Sequence, residues 1–162
     1  MRILFLIPVF ALAACESMMV PAVATAPSPN TGTAQSVAGT APTLNPSPPP
    51  APPAAARTVA QFDTTTAADK AEALAVKVDA PVKDLGTTLA TLGPPAEPGI
   101  WLKTPLVTTL VMGRVAYKGK TANVELRPSG GAAGSGSQIS LAAMQTLGIP
   151  LTEIAEVNVS VE

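Results

Sequence analysis

The sequence predicts a mainly β protein: a small barrel with one or two short helices, preceded by a disordered Pro/Ala-rich linker. Three observations point there. Beyond residue 86, short runs of β-branched residues alternate with glycines and prolines, the pattern of closely spaced strands. Before residue 57 the chain has almost nothing with which to build a core. Aromatic residues make up only 3% of the chain, with Trp101 the single tryptophan and Tyr117 the single tyrosine, so any core is small and aliphatic.

The N-terminus reads as an export signal. Arg2 supplies a positive start, and residues 3–10 form an apolar run far shorter than the ~20 residues a membrane-spanning helix needs. Leu12-Ala13-Ala14-Cys15 resembles the bacterial lipobox, in which small residues precede a cysteine that accepts diacylglycerol. This resemblance implies a signal peptide over residues 1–14 and a lipidated N-terminus at Cys15. Each buried methylene contributes ~0.8 kcal/mol, so two or three acyl chains hold a protein on a membrane essentially permanently. Glu16, rather than Asp, follows the cysteine, which resembles lipoproteins sorted to the outer membrane and facing the periplasm.

Residues 15–57 then read as a tether. Ten of the 18 prolines lie between residues 16 and 57, and no charge interrupts the residues between those two. Few large apolar side chains are available to offset chain entropy, and the run Pro46-Ser47-Pro48-Pro49-Pro50-Ala51-Pro52-Pro53 favours an extended polyproline conformation.

Residues 58–85 carry helical signals. Thr66 and Asp69 have the spacing of a helix cap, and Ala68, Ala71, Leu74, Ala75 and Val78 recur at helical intervals until Pro81. Strands are expected over residues 87–92, 100–103, 106–112, 114–117 and 121–126, with Lys118-Gly119-Lys120 as a hairpin turn. A glycine-rich loop follows over residues 128–136. Ser140 caps a short helix closed by Gly148, and Val157, Val159 and Val161 alternate with polar residues in a last strand. Residues 86–162 are therefore expected to form the barrel.

Charge and composition exclude several functions. A net charge of −1 gives no electrostatic footprint for nucleic acid. The chain contains no histidine, which removes Ser–His and Cys–His couples and histidine metal sites, and no cofactor or metal is expected.

The ordered set of elements resembles a known family. Gly113-Arg-Val-Ala-Tyr-Lys-Gly-Lys-Thr-Ala-Asn-Val-Glu-Leu126, then Ser137-Gln-Ile-Ser-Leu-Ala-Ala-Met-Gln-Thr-Leu-Gly148 and Val157-Asn-Val-Ser-Val161 are similar to the double-psi β-barrel of rare lipoprotein A. The resemblance covers about residues 86–162 and implies a double-psi-like barrel that handles peptidoglycan. Glycan-cleaving members carry acids in an Asp-Arg-Gly-Pro and an Ile-Asp-Leu-Ser segment. Here the first acidic position holds Arg127 or Pro128, depending on a one-residue gap, and the second holds Gln138. A cation, a proline or an amide cannot protonate a leaving glycosidic oxygen.

The carboxylates left in the barrel region are Glu97, Glu125, Glu153, Glu156 and Glu162. Glu125 has the opposite parity to Val124 and Leu126 and is expected to face solvent; Glu153 and Glu156 read as rim charges. A residual ligand groove is expected around Arg127, Ser129, Gln138, Ser140 and Trp101. Trp101 with Lys103 suits a sugar-stacking platform, or Trp101 serves as the main core residue. The glycine-rich loop lacks the phosphate-binding signatures and reads as a flexible barrel loop.

The expected function is an outer-membrane lipoprotein presenting a non-catalytic barrel that binds peptidoglycan or an envelope protein. A lytic transglycosylase with a displaced acid and a purely structural lipoprotein are the alternatives. The chain is also similar to short lipoproteins bearing a galactarate dehydratase name, but its residues offer neither the metal nor the strong base that such dehydration requires.

Overall fold

A computed structural model describes residues 43–76 and 81–161. The signal segment, Cys15 and the first part of the tether lie outside the described residues, as does Val78. The described elements are α1 (Val59–Phe62), α2 (Ala67–Leu74), β1 (Lys83–Leu92), β2 (Trp101–Thr104), β3 (Val111–Tyr117), β4 (Lys120–Pro128), β5 (Ser137–Ile139), α3 (Leu141–Leu147) and β6 (Ala155–Val161).

The six strands close into a barrel in the order β1-β5-β2-β4-β3-β6, with β6 returning to β1. Two neighbours are parallel, β1 with β5 and β2 with β4; the remaining pairs are antiparallel. The connection from β1 to β2 therefore arches over the end of β5, and the connection from β2 to β3 arches over the end of β4. Two such interlocked arches are a double-psi-like arrangement.

The second arch explains one departure from expectation. Residues 106–110 are rich in β-branched side chains, yet they form a turn and bends rather than a strand. Thr104 and Val111 both lie beside β4, pairing with Pro128 and Leu126, on opposite flanks. The chain between them must cross that strand, and topology overrides propensity.

Alternation along the strands fills the interior. Leu102, Val115, Ala122, Val124, Leu126, Ile139, Val157 and Val159 point inward and are at most 1% exposed. Helix α3 adds Ala143, Met144 and Leu147 to the same cluster. Ser140 Oγ accepts from Ala143 N at 3.2 Å to start α3. Gly148, at φ 75°, ends it in the left-handed conformation that glycine adopts without strain. Gly148 N donates to Gln145 O at 3.1 Å and Ile149 N to Met144 O at 2.8 Å, completing that cap.

The β3–β4 hairpin turns at Lys118 and Gly119, both at positive φ as a two-residue mirror-image turn requires. Lys118 Nζ sits 4.7 Å above the Tyr117 ring and 3.7 Å from Glu153 Oε1. A hydrogen bond to Tyr117, then the Glu153 charge, raise its pKa above the ordinary lysine value.

Helix α2 packs on the barrel, against β4 and α3. Thr66 Oγ1 accepts from Asp69 N at 3.1 Å, and Asp69 Oδ2 accepts from Thr66 N at 3.0 Å, the reciprocal cap that starts α2. Lys70 bridges Asp63 and Gln145 of α3, the latter at 3.0 Å, and Ala73 is buried. Residues 43–57 differ from a free tether. Thr43 Oγ1 donates to Glu125 Oε2 at 2.8 Å, Thr64 Oγ1 donates to Pro50 O at 2.6 Å, and Ala56 is 4% exposed. Low hydrophobicity predicts little self-association of this segment, but says nothing about a barrel face able to receive it.

Candidate ligand groove and buried ion ladder

The outer faces of β2 and β4 carry the residues that set the site. Trp101 pairs in register with Glu125, and Lys103 with Arg127. The side chains of Trp101 and Lys103 share one face of β2, while Leu102 and Thr104 turn to the other and are fully buried. On β4, Glu125 and Arg127 occupy the outward face, opposite Val124 and Leu126.

That outward face is covered. Glu125 is 5% exposed and Arg127 is 7% exposed, which corrects the expectation that Glu125 faces solvent. Parity assigned the correct side of the sheet, but the loop after β1 and the segment at Thr43 roof it over. Burial of a charge is tolerable only when it is paired and hydrogen-bonded.

The pairing forms a ladder. Glu125 Oε2 accepts from Thr43 Oγ1 and Leu44 N, and Glu125 Oε1 accepts from Arg127 Nε at 2.6 Å. Arg127 Nη1 donates to Glu97 Oε1 at 2.6 Å, and Lys103 Nζ donates to Glu97 Oε2 at 2.6 Å. Two carboxylates and two cations thus alternate with no net charge. The ladder lies over Trp101, with Arg127 Cζ 5.2 Å and Lys103 Nζ 4.9 Å from its ring centroid.

Trp101 is fully buried beneath this ladder, outside the aliphatic barrel cluster. Its Nε1 donates to Glu97 O at 3.3 Å, and a Cβ built on Gly93 would lie 2.5 Å from its Cη2. It is neither the centre of the barrel core nor a ring open to a sugar. It is the floor on which the ladder rests.

Ser140 is likewise withdrawn, with no exposure. Its hydroxyl oxygen accepts from both Trp101 N, at 3.1 Å, and Ala143 N, so it joins β2 to α3.

Ser129 and Gln138 are exposed and do meet in a groove. An open cleft of about 520 Å³ runs between the glycine-rich loop and strands β1, β2 and β5. Leu89, Thr91, Lys103, Ser135, Ser137 and Gln138 line it, together with Ser129 and loop glycines. Ser137 Oγ lies 2.8 Å from Thr88 Oγ1, and Gly136 packs so closely that a Cβ there would meet Leu89 O at 3.2 Å. Hydroxyls, an amide and one partnered ammonium dominate its polar surface; among the described residues, no carboxylate lines it.

Of the five expected groove residues, two therefore line the cleft, while Trp101, Arg127 and Ser140 form its underlying support. Sequence reasoning gave Glu97 no role beyond a spare acid, and it overlooked Thr43 and Leu44. The Leu44 contact uses a backbone amide, which no residue type announces. Glu156 lies in a smaller adjoining cleft with Thr87, Thr88, Pro105 and Leu106, sharing Leu89, Gly134 and Gly136 with the first. Among the described residues, no three acidic or cysteine side chains group to hold a metal ion. Searches against family models, curated proteins and solved structures find no match to this chain.

Proposed function

We propose that this chain is an outer-membrane lipoprotein, anchored through Cys15, whose barrel binds peptidoglycan glycan from the periplasm without cleaving it. The observation that carries the non-catalytic reading is the composition of the groove. It offers hydroxyls, an amide and the Lys103 ammonium to a polar chain, and among the described residues that line it there is no carboxyl group to protonate a leaving oxygen. The nearby acids are already engaged: Glu97 and Glu125 each accept hydrogen bonds on both oxygens. The anchor rests on the lipobox-like Leu12-Ala13-Ala14-Cys15.

Glycan affinity at such a groove is modest, because each neutral hydrogen bond adds only ~0.5–1.5 kcal/mol net. Full-length chain mixed with sacculi should pellet and release no soluble anhydro-muropeptides, and Gln138→Ala should weaken pelleting severalfold. Palmitate labelling should disappear in Cys15→Ser, since serine forms no thioether. An envelope protein as the ligand, or a purely structural barrel, is the conclusion if the chain ignores sacculi.

One observation favours the enzymatic alternative. Glu156 is exposed and lines the cleft adjoining the groove, where a displaced acid would stand. Release of anhydro-muropeptides that vanishes in Glu156→Gln would establish that reading in place of simple binding.

A further inference from the structure

Residues 43–57 form a strap that meets the barrel at Glu125 and the segment before α2 at Thr64. Thr64 Oγ1 bonds Pro50 O and Ala56 is buried at one end; Thr43 and Leu44 meet Glu125 at the other. The leading end is shaped by its own short-range bonds, Asn45 N to Thr43 Oγ1 at 3.1 Å and Ser47 N to Asn45 Oδ1 at 2.9 Å. It buries little apolar surface. Leu44 is 48% exposed, and residues 45–48 are exposed. Contacts this sparse belong to the part of a fold that opens most readily.

The acceptor of those contacts is not isolated. Glu125 hands charge to Arg127, Arg127 to Glu97, and Glu97 to Lys103, whose side chain lines the groove. We propose that the strap is a latch linked to the groove: docking of Thr43 and Leu44 on Glu125 and ligand binding beside Lys103 reinforce each other through the Glu125–Arg127–Glu97–Lys103 ladder. The ligand half of this rests on the groove reading above; the strap–ladder half does not.

The linkage follows from how many partners each charge has. With the strap docked, Glu125 Oε2 is satisfied by two neutral donors, so Arg127 divides its guanidinium between Glu125 and Glu97. With the strap released, that oxygen loses both donors at a site the β1–β2 arch still partly covers, and the guanidinium turns toward it. Glu97 is then left to Lys103 alone, which draws the ammonium away from the groove. The ring of Trp101, against which both cations rest, loses part of its cover. Reciprocity requires that a ligand engaging Lys103 also favours the docked strap. Release at Glu125 frees the residues ahead of the Pro50 bond to Thr64, adding roughly 20 Å of extended chain at ~3.1 Å per residue. Ligand binding would thus shorten the length of free chain ahead of the barrel.

The test uses full-length chain carrying Thr43→Val with Leu44→Pro, which removes both donors and alters no ladder side chain. Hydrogen exchange over residues 43–57, acrylamide quenching of the single Trp101, and retention on sacculi are compared with the native chain and with Thr43→Ser. Expected are faster strap exchange, at least a doubling (~2-fold or more) of the Trp101 quenching constant, and retention weakened about fivefold, the lower end of usual site–site coupling. Thr43→Ser, which keeps the hydroxyl, should behave as the native chain. Faster strap exchange with unchanged Trp101 quenching overturns the linkage, and unchanged strap exchange overturns the latch. If native chain ignores sacculi while the double variant still loosens Trp101, the glycan reading falls and the strap–ladder linkage stands.

Discussion

At the scale of single residues, the decisive position is Arg127. Its side chain is 9% exposed and serves two carboxylates from different segments, Glu125 on the same strand and Glu97 in the β1–β2 arch. Removing it leaves two covered carboxylate oxygens without their cation, and breaking a buried pair this way typically costs ~3–5 kcal/mol. Lys103 is the outer cation, 28% exposed, and its partner Glu97 keeps Arg127 when Lys103 is lost. Screening by solvent at that end keeps the loss near ~1 kcal/mol or below. Urea unfolding of Arg127→Met and Lys103→Met, which remove the cations but keep an unbranched apolar chain, should therefore rank Arg127 well above Lys103. Equal losses would show that the ladder is not graded by burial. Arg127→Lys should fall between, because one ammonium cannot reproduce the forked geometry that reaches both acids at 2.6 Å.

At the scale of elements, local chemistry was legible and covered surfaces were not. The α3 helix follows from Ser140 before it and Gly148 after it, and α2 follows from Thr66 and Asp69; both caps formed where their spacing placed them. The β3–β4 hairpin and the alternating β6 are equally local. What failed were residues whose state depends on distant chain. Period-2 alternation told which side of β4 Glu125 faces, but not that residue 43 would come to lie over it. Trp101 likewise could be assigned to burial, but not to a position outside the main cluster. Ser140 shows how a local signal hides a long-range role. As a helix cap its loss costs ~0.5–2 kcal/mol. It also accepts from the buried Trp101 amide, and an orphaned buried donor adds ~1–3 kcal/mol. Ser140→Ala should thus destabilise by about 2–4 kcal/mol, clearly more than Thr66→Ala at the exposed α2 cap, which should lose ~1 kcal/mol. Chemical denaturation of the two variants compares them directly, and equal losses would mean that the β2 contact contributes nothing.

At the scale of the whole molecule, the boundary between tether and folded unit lies well before the barrel's first strand. Composition placed it at residue 58, because a proline-rich segment without charge has little of its own to bury. The barrel supplies the missing partner: a covered carboxylate whose second oxygen is filled by residues 43 and 44. A chain beginning at residue 43 should retain both contacts and melt with the full-length protein. A chain beginning at residue 58 loses them, along with the buried Ala56 and the Pro50 bond to Thr64. Leaving a buried acceptor without donors costs ~1–3 kcal/mol, part of which water recovers because the vacated face opens. For a domain of this size each kcal/mol moves the melting temperature by roughly 4–8 °C, so the shorter chain should melt some 5–15 °C lower. Thermal melts of the two truncations decide the matter, with Glu125→Gln in the longer chain as a partial mimic that weakens both the strap and the Arg127 contact. Identical melting of the two truncations would return residues 43–57 to the role of a spacer resting on the barrel without contributing to it.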